Sequence, residues 1–244
     1  MPYELYYWDG LQGRGEFVRL ALEQAQAPYV DIARGGDDEG QGESAITALM
    51  SSKTAPFIPF APPFLKDGEL IVSQTANILL YLGPKLGLAP KGDLAYVVHS
   101  LQLTIADMVT EAHDTHHPIA SGQYYEDQTA PAKARATDFL KHRLPKFMRY
   151  FERVLAQNPD GERHLAGDSL TYADLSMFQL IEGLRYAFPR ATSRFALNYP
   201  RLAALRDAVA ALPNIAAYLA SDRRLPFNET GIFRHYPELD MAGH

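Results

Sequence analysis

Three groups of residues in this chain have types and spacing suited to chemistry. Tyr7 stands near the end of the alternating stretch Tyr3-Glu4-Leu5-Tyr6-Tyr7-Trp8, and open α/β sheets bind ligands outside the carboxyl ends of their strands, with Tyr6 as its rival by position. Ser73-Gln74-Thr75 places polar side chains and free backbone N–H groups just ahead of the apolar run Ala76 to Leu82. A helix start of that kind attracts a carboxylate, although simple capping by Ser73 or Thr75 would use the same residues. His113, Asp114, His116 and His117 have the i, i+3 and i+4 spacing with which imidazoles hold a divalent metal. Pro118 ends the helix there, and the dipole favours histidines in a last turn without any ion, so no metal is expected.

The elements that must position these residues can be read from the pattern. Tyr3 to Trp8 reads as a strand apolar on both faces, Arg14 to Gln26 as a helix with Phe17, Leu20, Ala21 and Ala25 on one side, and Tyr29 to Ile32 as a second strand. Arg34 to Ser52 is polar and Gly-rich, a loop with one short helix around Ser44 to Met50. Phe64-Leu65 and Leu70-Ile71-Val72 flank Asp67-Gly68, a strong hairpin signal, and the helix that follows is expected to break at Gly83-Pro84. Beyond the Gly87 to Gly92 linker the chain reads as helical. Leu94 to His117 and Pro131 to Gln157 are long core-facing helices, the second kinked at Pro145. Leu170-Thr171-Tyr172-Ala173-Asp174-Leu175 is a capping box with a hydrophobic staple, and prolines open helices at Pro200 and Pro213.

Composition narrows the classes. The 244 residues are 47% hydrophobic, enough for one large or two small cores. With no cysteine, disulfides, thiolate metal sites and a protein thiol nucleophile are all removed. A net charge of −6 argues against general nucleic-acid affinity, and no apolar run approaches the length of a membrane span. The N-terminus has no basic, apolar leader pattern, so a cytoplasmic chain with no membrane partner is expected.

The β-α-β, β-β-α order of the first half resembles a thioredoxin fold, and the whole chain resembles the cytosolic glutathione transferases. The resemblance rests on Tyr7-Trp8-Asp9, on Pro63 eleven residues before Gln74-Thr75, and on the capping box at Thr171. It implies a thioredoxin-like glutathione-binding domain over residues 1–86 and an all-α domain over 93–244 that forms the electrophile pocket. It further implies glutathione as co-substrate, a small apolar electrophile, no metal, and a homodimer.

A thiol attacks electrophiles as thiolate, and with a pKa near 8.5 only about 3% is ionised at pH 7. Lowering that pKa by about two raises the thiolate fraction to about three quarters. The resemblance gives Tyr7 the role of donor to the sulfur. Asp9 to Gly13 holds no Ser, Thr or Cys that could replace it, and the loop is about one residue longer than in most tyrosine-type relatives. Gln74 and Thr75 would hold the γ-glutamyl carboxylate, Lys53 the glycine carboxylate, Trp8 and Arg14 the surroundings of the thiol, and Asp107 the amine across the dimer interface. Pro62, before the expected cis-proline Pro63, has no N–H. It can contribute only its carbonyl to the cysteinyl backbone, unless the cis bond precedes Pro62 and Ala61 makes the contact. Met108, Glu111 and His113 would line the electrophile pocket. Two readings stand beside conjugation: a non-catalytic binding module on the same fold, and a glutathione-dependent isomerase or peroxidase using the same residues.

Overall fold

The computed structural model describes residues 1–240. Its first four strands and three helices form one layer-on-layer unit. Strand β1 (Tyr3–Tyr6) pairs in parallel with β2 (Tyr29–Asp31) and antiparallel with β3 (Phe64–Asp67), which pairs antiparallel with β4 (Leu70–Ser73); the order is β2-β1-β3-β4. β1 sends alternate side chains to two cores, because side chains alternate along a strand. Leu5 packs with Val18, Leu22, Leu65, Val72, Ile78 and Leu82, whereas Tyr6 packs with Ile32, Ala33, Ile46 and Phe64. Helices α1 (Gly15–Gln24) and α3 (Thr75–Leu86) contribute to the first core, and α2 (Gly42–Met50) to the second.

Two local expectations shift. The hairpin turn is Gly68-Glu69, one residue later than Asp67-Gly68: Asp67 pairs with Leu70, and Gly68 takes the positive φ of 61° that the first position of a two-residue loop requires. Helix α3 does not break at Gly83-Pro84 but continues to Leu86, ending at Gly87 with φ 68°. Pro84 removes the bond to the carbonyl of Leu80, an exposed residue near the helix end, so the loss costs little there.

The segment after Gly87 is fastened rather than loose, since the Tyr172 N–H donates to the Leu88 carbonyl at 2.9 Å and Leu88 is buried. Helix α4 (Leu94–Asp114) is followed by α5 (Thr129–Asp138), α6 (Leu144–Gln157), α7 (Tyr172–Ala187), α8 (Phe195–Asn198), α9 (Pro200–Ala210) and α10 (Pro213–Leu219). Between α5 and α6 the chain takes a wider π-helical turn, Phe139–Arg143, directly before Pro145. A proline ring collides with the carbonyl four residues back, and the wider turn accommodates it. The capping box opens α7: the Asp174 carboxylate accepts from the Thr171 N–H at 2.8 Å, from its hydroxyl at 2.9 Å, and from the Leu165 N–H at 2.7 Å.

Helix α1 ties the two halves together. Val18 and Leu22 face the sheet, while Phe17, Leu20 and Ala21 enter the core built by α4 to α10. Among the described residues, no single helix is long and apolar enough to cross a membrane.

Candidate active site

A cleft of about 570 Å³ lies between the sheet unit and α4, walled by Arg14, Pro62, Pro63, Gln74 and Thr75 on one side and by α4 on the other. The sequence brings these together because the Gly13-Arg14 loop, the segment before β3 and the start of α3 all lie at the same end of the strands.

Tyr7 stands just past the end of β1 and is buried. Its hydroxyl accepts the Arg14 N–H at 2.9 Å and donates to no acceptor among the described residues. Burial raises its pKa above the ordinary 10, while the Arg14 N–H and the charges of Arg14 and Arg19 pull the other way. The group is therefore a neutral phenol at neutral pH, with its proton free to give. Glycines at 13 and 15 make the close fit possible: a Cβ at Gly13 would sit 2.0 Å from the Tyr7 hydroxyl, and one at Gly15 would sit 2.6 Å from the ring. Tyr6 is differently engaged. Its hydroxyl donates to Glu4 at 2.7 Å and its ring stacks on Phe64, in the opposite core.

The loop that carries Gly13 and Arg14 is held by a buried polar network that sequence reasoning missed. Arg19, fully buried, reaches Asp31 at 2.6 Å, Glu16 at 3.3 Å and the Leu11 carbonyl at 3.0 Å. Glu16 also takes the Tyr218 hydroxyl at 2.7 Å and pairs with Arg224. Arg224 reaches Gln179 at 2.8 Å, and Gln179 donates to Gln12 at 2.8 Å. The only signal in the sequence was Glu16 and Arg19 on the otherwise apolar stretch of α1.

At the other end of the cleft, Gln74 precedes the first turn of α3 with φ 71° and ψ 122°, a conformation that strains any residue with a Cβ. Gln74 is exposed and Thr75 half-buried, its hydroxyl 3.4 Å from the Arg14 carbonyl. The cis peptide bond joins Pro62 and Pro63, so the residue before the cis-proline is Pro62, which presents a carbonyl and no N–H. Trp8 is half-buried against the core of Tyr6 and Phe64 rather than on the cleft wall. The α4 wall is His99, Gln102, Leu103, Ile105, Ala106, Val109 and Thr110, with the Thr110 hydroxyl 3.5 Å from the Arg14 guanidinium. His99, Gln102, Ala106 and Thr110, a polar and small stripe at helical spacing, could have been found from sequence.

Other expected site residues also lie elsewhere. Lys53 is exposed and does not line the cleft. Met108 is fully buried in the helical core, packed with Leu101 and Ala112, and does not line the cleft. Asp107 and Glu111 face the far side of α4 and line a separate cleft of about 1140 Å³ with Arg143, Lys146, Arg149 and Arg153. Glu111 is held by Arg143 at 2.6 Å, and that hydrogen bond keeps its carboxyl below the ordinary range. That larger cleft does not include Gln74, and Tyr7 lines neither cleft directly.

His113 also leaves the cleft, to stand with His116 and His117. The helix ends at Asp114, earlier than expected, so His116 and His117 lie in the turn beyond it. One nitrogen from each ring lies within 4.8 Å of those of the other two. Burial holds all three below the usual histidine pKa, His116 at about 3, so the rings are neutral.

Comparison with known proteins gives a consistent result. The family model described as glutathione S-transferase, C-terminal domain, matches residues 113–222. A glutathione S-transferase of Plasmodium yoelii yoelii is 30% identical over 212 residues, covering 86% of this chain and 90% of that protein. A glutathione S-transferase of Plasmodium falciparum is 29% identical, covering 89% and 94%. Among solved structures, a Pi-class glutathione S-transferase of Onchocerca volvulus superposes with a TM-score of 0.72 at 21% identity, covering 95% of this chain and 99% of that one. The prostaglandin synthase D of Nilaparvata lugens does so with a TM-score of 0.69 at 23% identity, covering 93% and 100%. At these identities the structures speak for the fold alone.

Proposed function

The chain belongs to the glutathione S-transferase family, and from that premise we propose that it activates the glutathione thiol with Tyr7 for attack on a small apolar electrophile. The observation that carries this reading is the Tyr7 hydroxyl, buried, neutral, left with an uncommitted proton and fixed by the N–H of Arg14, a residue that lines the cleft. A donor aimed in advance at a developing or standing negative charge costs no reorganisation when the charge appears. The sulfur would lie against that proton, and the Arg14 guanidinium would add positive charge beside it.

The rest of the tripeptide would run along the cleft. Its γ-glutamyl carboxylate would meet the N-terminus of α3 at Gln74 and Thr75, where the first N–H groups have no helical partner. The Pro62 carbonyl would accept from the cysteinyl N–H, one bond where a residue with its own N–H would make two. Asp107 faces away from the cleft of its own chain, so a role toward the glutathione amine requires a second copy of the chain. A homodimer follows from that role. Sedimentation at micromolar concentration should give twice the chain mass of 27.2 kDa, and a species of 27.2 kDa would remove both the dimer and the role of Asp107.

Tyr7→Phe tests the central step. Because the carboxylates are bound elsewhere, glutathione affinity should change little, while the pKa of the bound thiol should rise by about one to two, or about 1.4–2.7 kcal/mol. Turnover at neutral pH should fall roughly ten- to a hundredfold and recover as the pH rises. The parent's rate should climb through the thiol pKa and hold past pH 10, because burial keeps Tyr7 protonated beyond its ordinary value. Thiolate absorbance of bound glutathione against pH is the measurement, with Tyr6→Phe as control. An unshifted thiol in Tyr7→Phe would overturn the assignment.

A further inference from the structure

The three histidines beyond α4 are not absorbed by the reading above. Their rings form a closed cluster, with centroids 4.9 Å apart for His113 and His116, 5.3 Å for His113 and His117, and 4.7 Å for His116 and His117. Three side chains from one and a half turns of backbone converge because His116 and His117 follow the helix end in tight turns. Their N–H groups still bond the His113 carbonyl, at 3.2 and 3.3 Å.

His116 is the fixed member. Its Nε2 lies 2.8 Å from the Ile232 carbonyl, which can only accept, so Nε2 carries the proton and Nδ1 presents a lone pair. That lone pair points into the cluster, at Nδ1 of His117. A ligating imidazole typically donates its other N–H to a carbonyl or carboxylate, which sets both tautomer and orientation. His113 has a similar neighbour, with Nδ1 3.5 Å from the Asp114 carboxylate. The two partly exposed rings, His113 and His117, can turn about their side-chain bonds, while His116 stays anchored under the tail.

From this we infer that His113, His116 and His117 form a three-imidazole site for a borderline divalent cation of the Zn²⁺ class, with a remaining coordination position open to water. Metal–nitrogen bonds of about 2.0–2.1 Å require ligand nitrogens about 3.3 Å apart. The cluster therefore needs its widest pair, at most 4.8 Å apart, to close and the His116–His117 pair to open. Both changes would fall to the two outer rings, His113 and His117, which are partly exposed. All-nitrogen ligation selects Zn²⁺, Co²⁺, Ni²⁺ or Cu²⁺ and disfavours Ca²⁺ and Mg²⁺, which take oxygen ligands. The C-terminus of α4, carrying the negative end of its dipole, adds a favourable field for a cation. Arg234, nearby in the tail, is turned toward the Gly231 and Thr230 carbonyls, which it meets at 2.8 and 3.2 Å.

The test uses the untagged full-length chain freed of metal by a chelator. Co²⁺ titration should give visible d–d absorption saturating at one ion per chain, displaced by Zn²⁺ and unaffected by excess Mg²⁺ or Ca²⁺. His113→Ala and His117→Ala should each weaken Zn²⁺ binding, measured calorimetrically, at least tenfold, and the double variant should abolish the Co²⁺ spectrum. These two are chosen because His116→Ala also strips the partner from the Ile232 carbonyl and would disturb the tail. Circular dichroism of the double variant should match the parent. Absence of saturable binding to the parent, or binding that survives unchanged in the double variant, would overturn the site.

Discussion

Beside Arg14, at one end of the cleft, Tyr7 is 6% exposed, pressed between Gly13 and Gly15, and its supporting loop is bound into a network running from Asp31 through Arg19 and Glu16 to Arg224 and Gln179. At the other end Gln74 is exposed, holds a strained backbone angle, and is followed by helix N–H groups that need no side chain to define them. The difference matches the two tasks proposed for them. A donor to sulfur must be placed before the thiolate forms, and a buried, cross-linked loop fixes it. A carboxylate can be met by several backbone N–H groups at once, so that end works at the surface and tolerates solvent.

The comparison can be broken most forcibly at Arg19. Arg19→Met leaves the Glu16 and Asp31 carboxylates without their shared cation in the interior and should cost about 3–5 kcal/mol in urea unfolding. A loss under about 1 kcal/mol would show that the network does not hold this end of the cleft. Next in size is Gly13→Ala, which puts a methyl group where the Tyr7 hydroxyl lies and asks a non-glycine residue to adopt φ 43°. Turnover should fall about a hundredfold with the glutathione KM little changed. Equal losses in both would mean that the loop binds the tripeptide as well as aiming the phenol.

The smallest effect sharpens the contrast from the exposed end. Gln74→Gly relieves the positive φ, so stability should rise by up to about 1 kcal/mol. Glutathione affinity should nonetheless drop roughly tenfold or more, about 1.5 kcal/mol, for the lost side-chain bond to a charged group. A gain in stability with unchanged KM would leave the strained angle without a binding role.

Legibility in the sequence followed the same division. Alternation along β1 was enough to separate Tyr6 from Tyr7, and the run from Pro62 to Leu82 carried its hairpin and helix in local turn and cap chemistry, with errors of one residue at Gly68 and a few at Pro84. On α4 the periodicity was visible but its meaning was not. Met108, Glu111 and His113 read as one pocket lining because one helix carries them all, yet they face the core, the outer cleft and the cluster beyond the helix end, respectively. A helix has several faces, and spacing tells which residues share one without telling what that face meets.

What the sequence determined by itself was the order of elements, the strand faces, the helix caps and the polar start of α3, because each depends on residues within a few positions of one another. Tertiary structure alone decided that Gln12 meets Gln179, that Tyr218 meets Glu16, and that the Ile232 carbonyl fixes the His116 ring. These pairs lie 167, 202 and 116 residues apart. Their partners are chosen by how α1, α7, α10 and the tail pack together. Buried polar groups must then find partners among whatever that packing brings within reach.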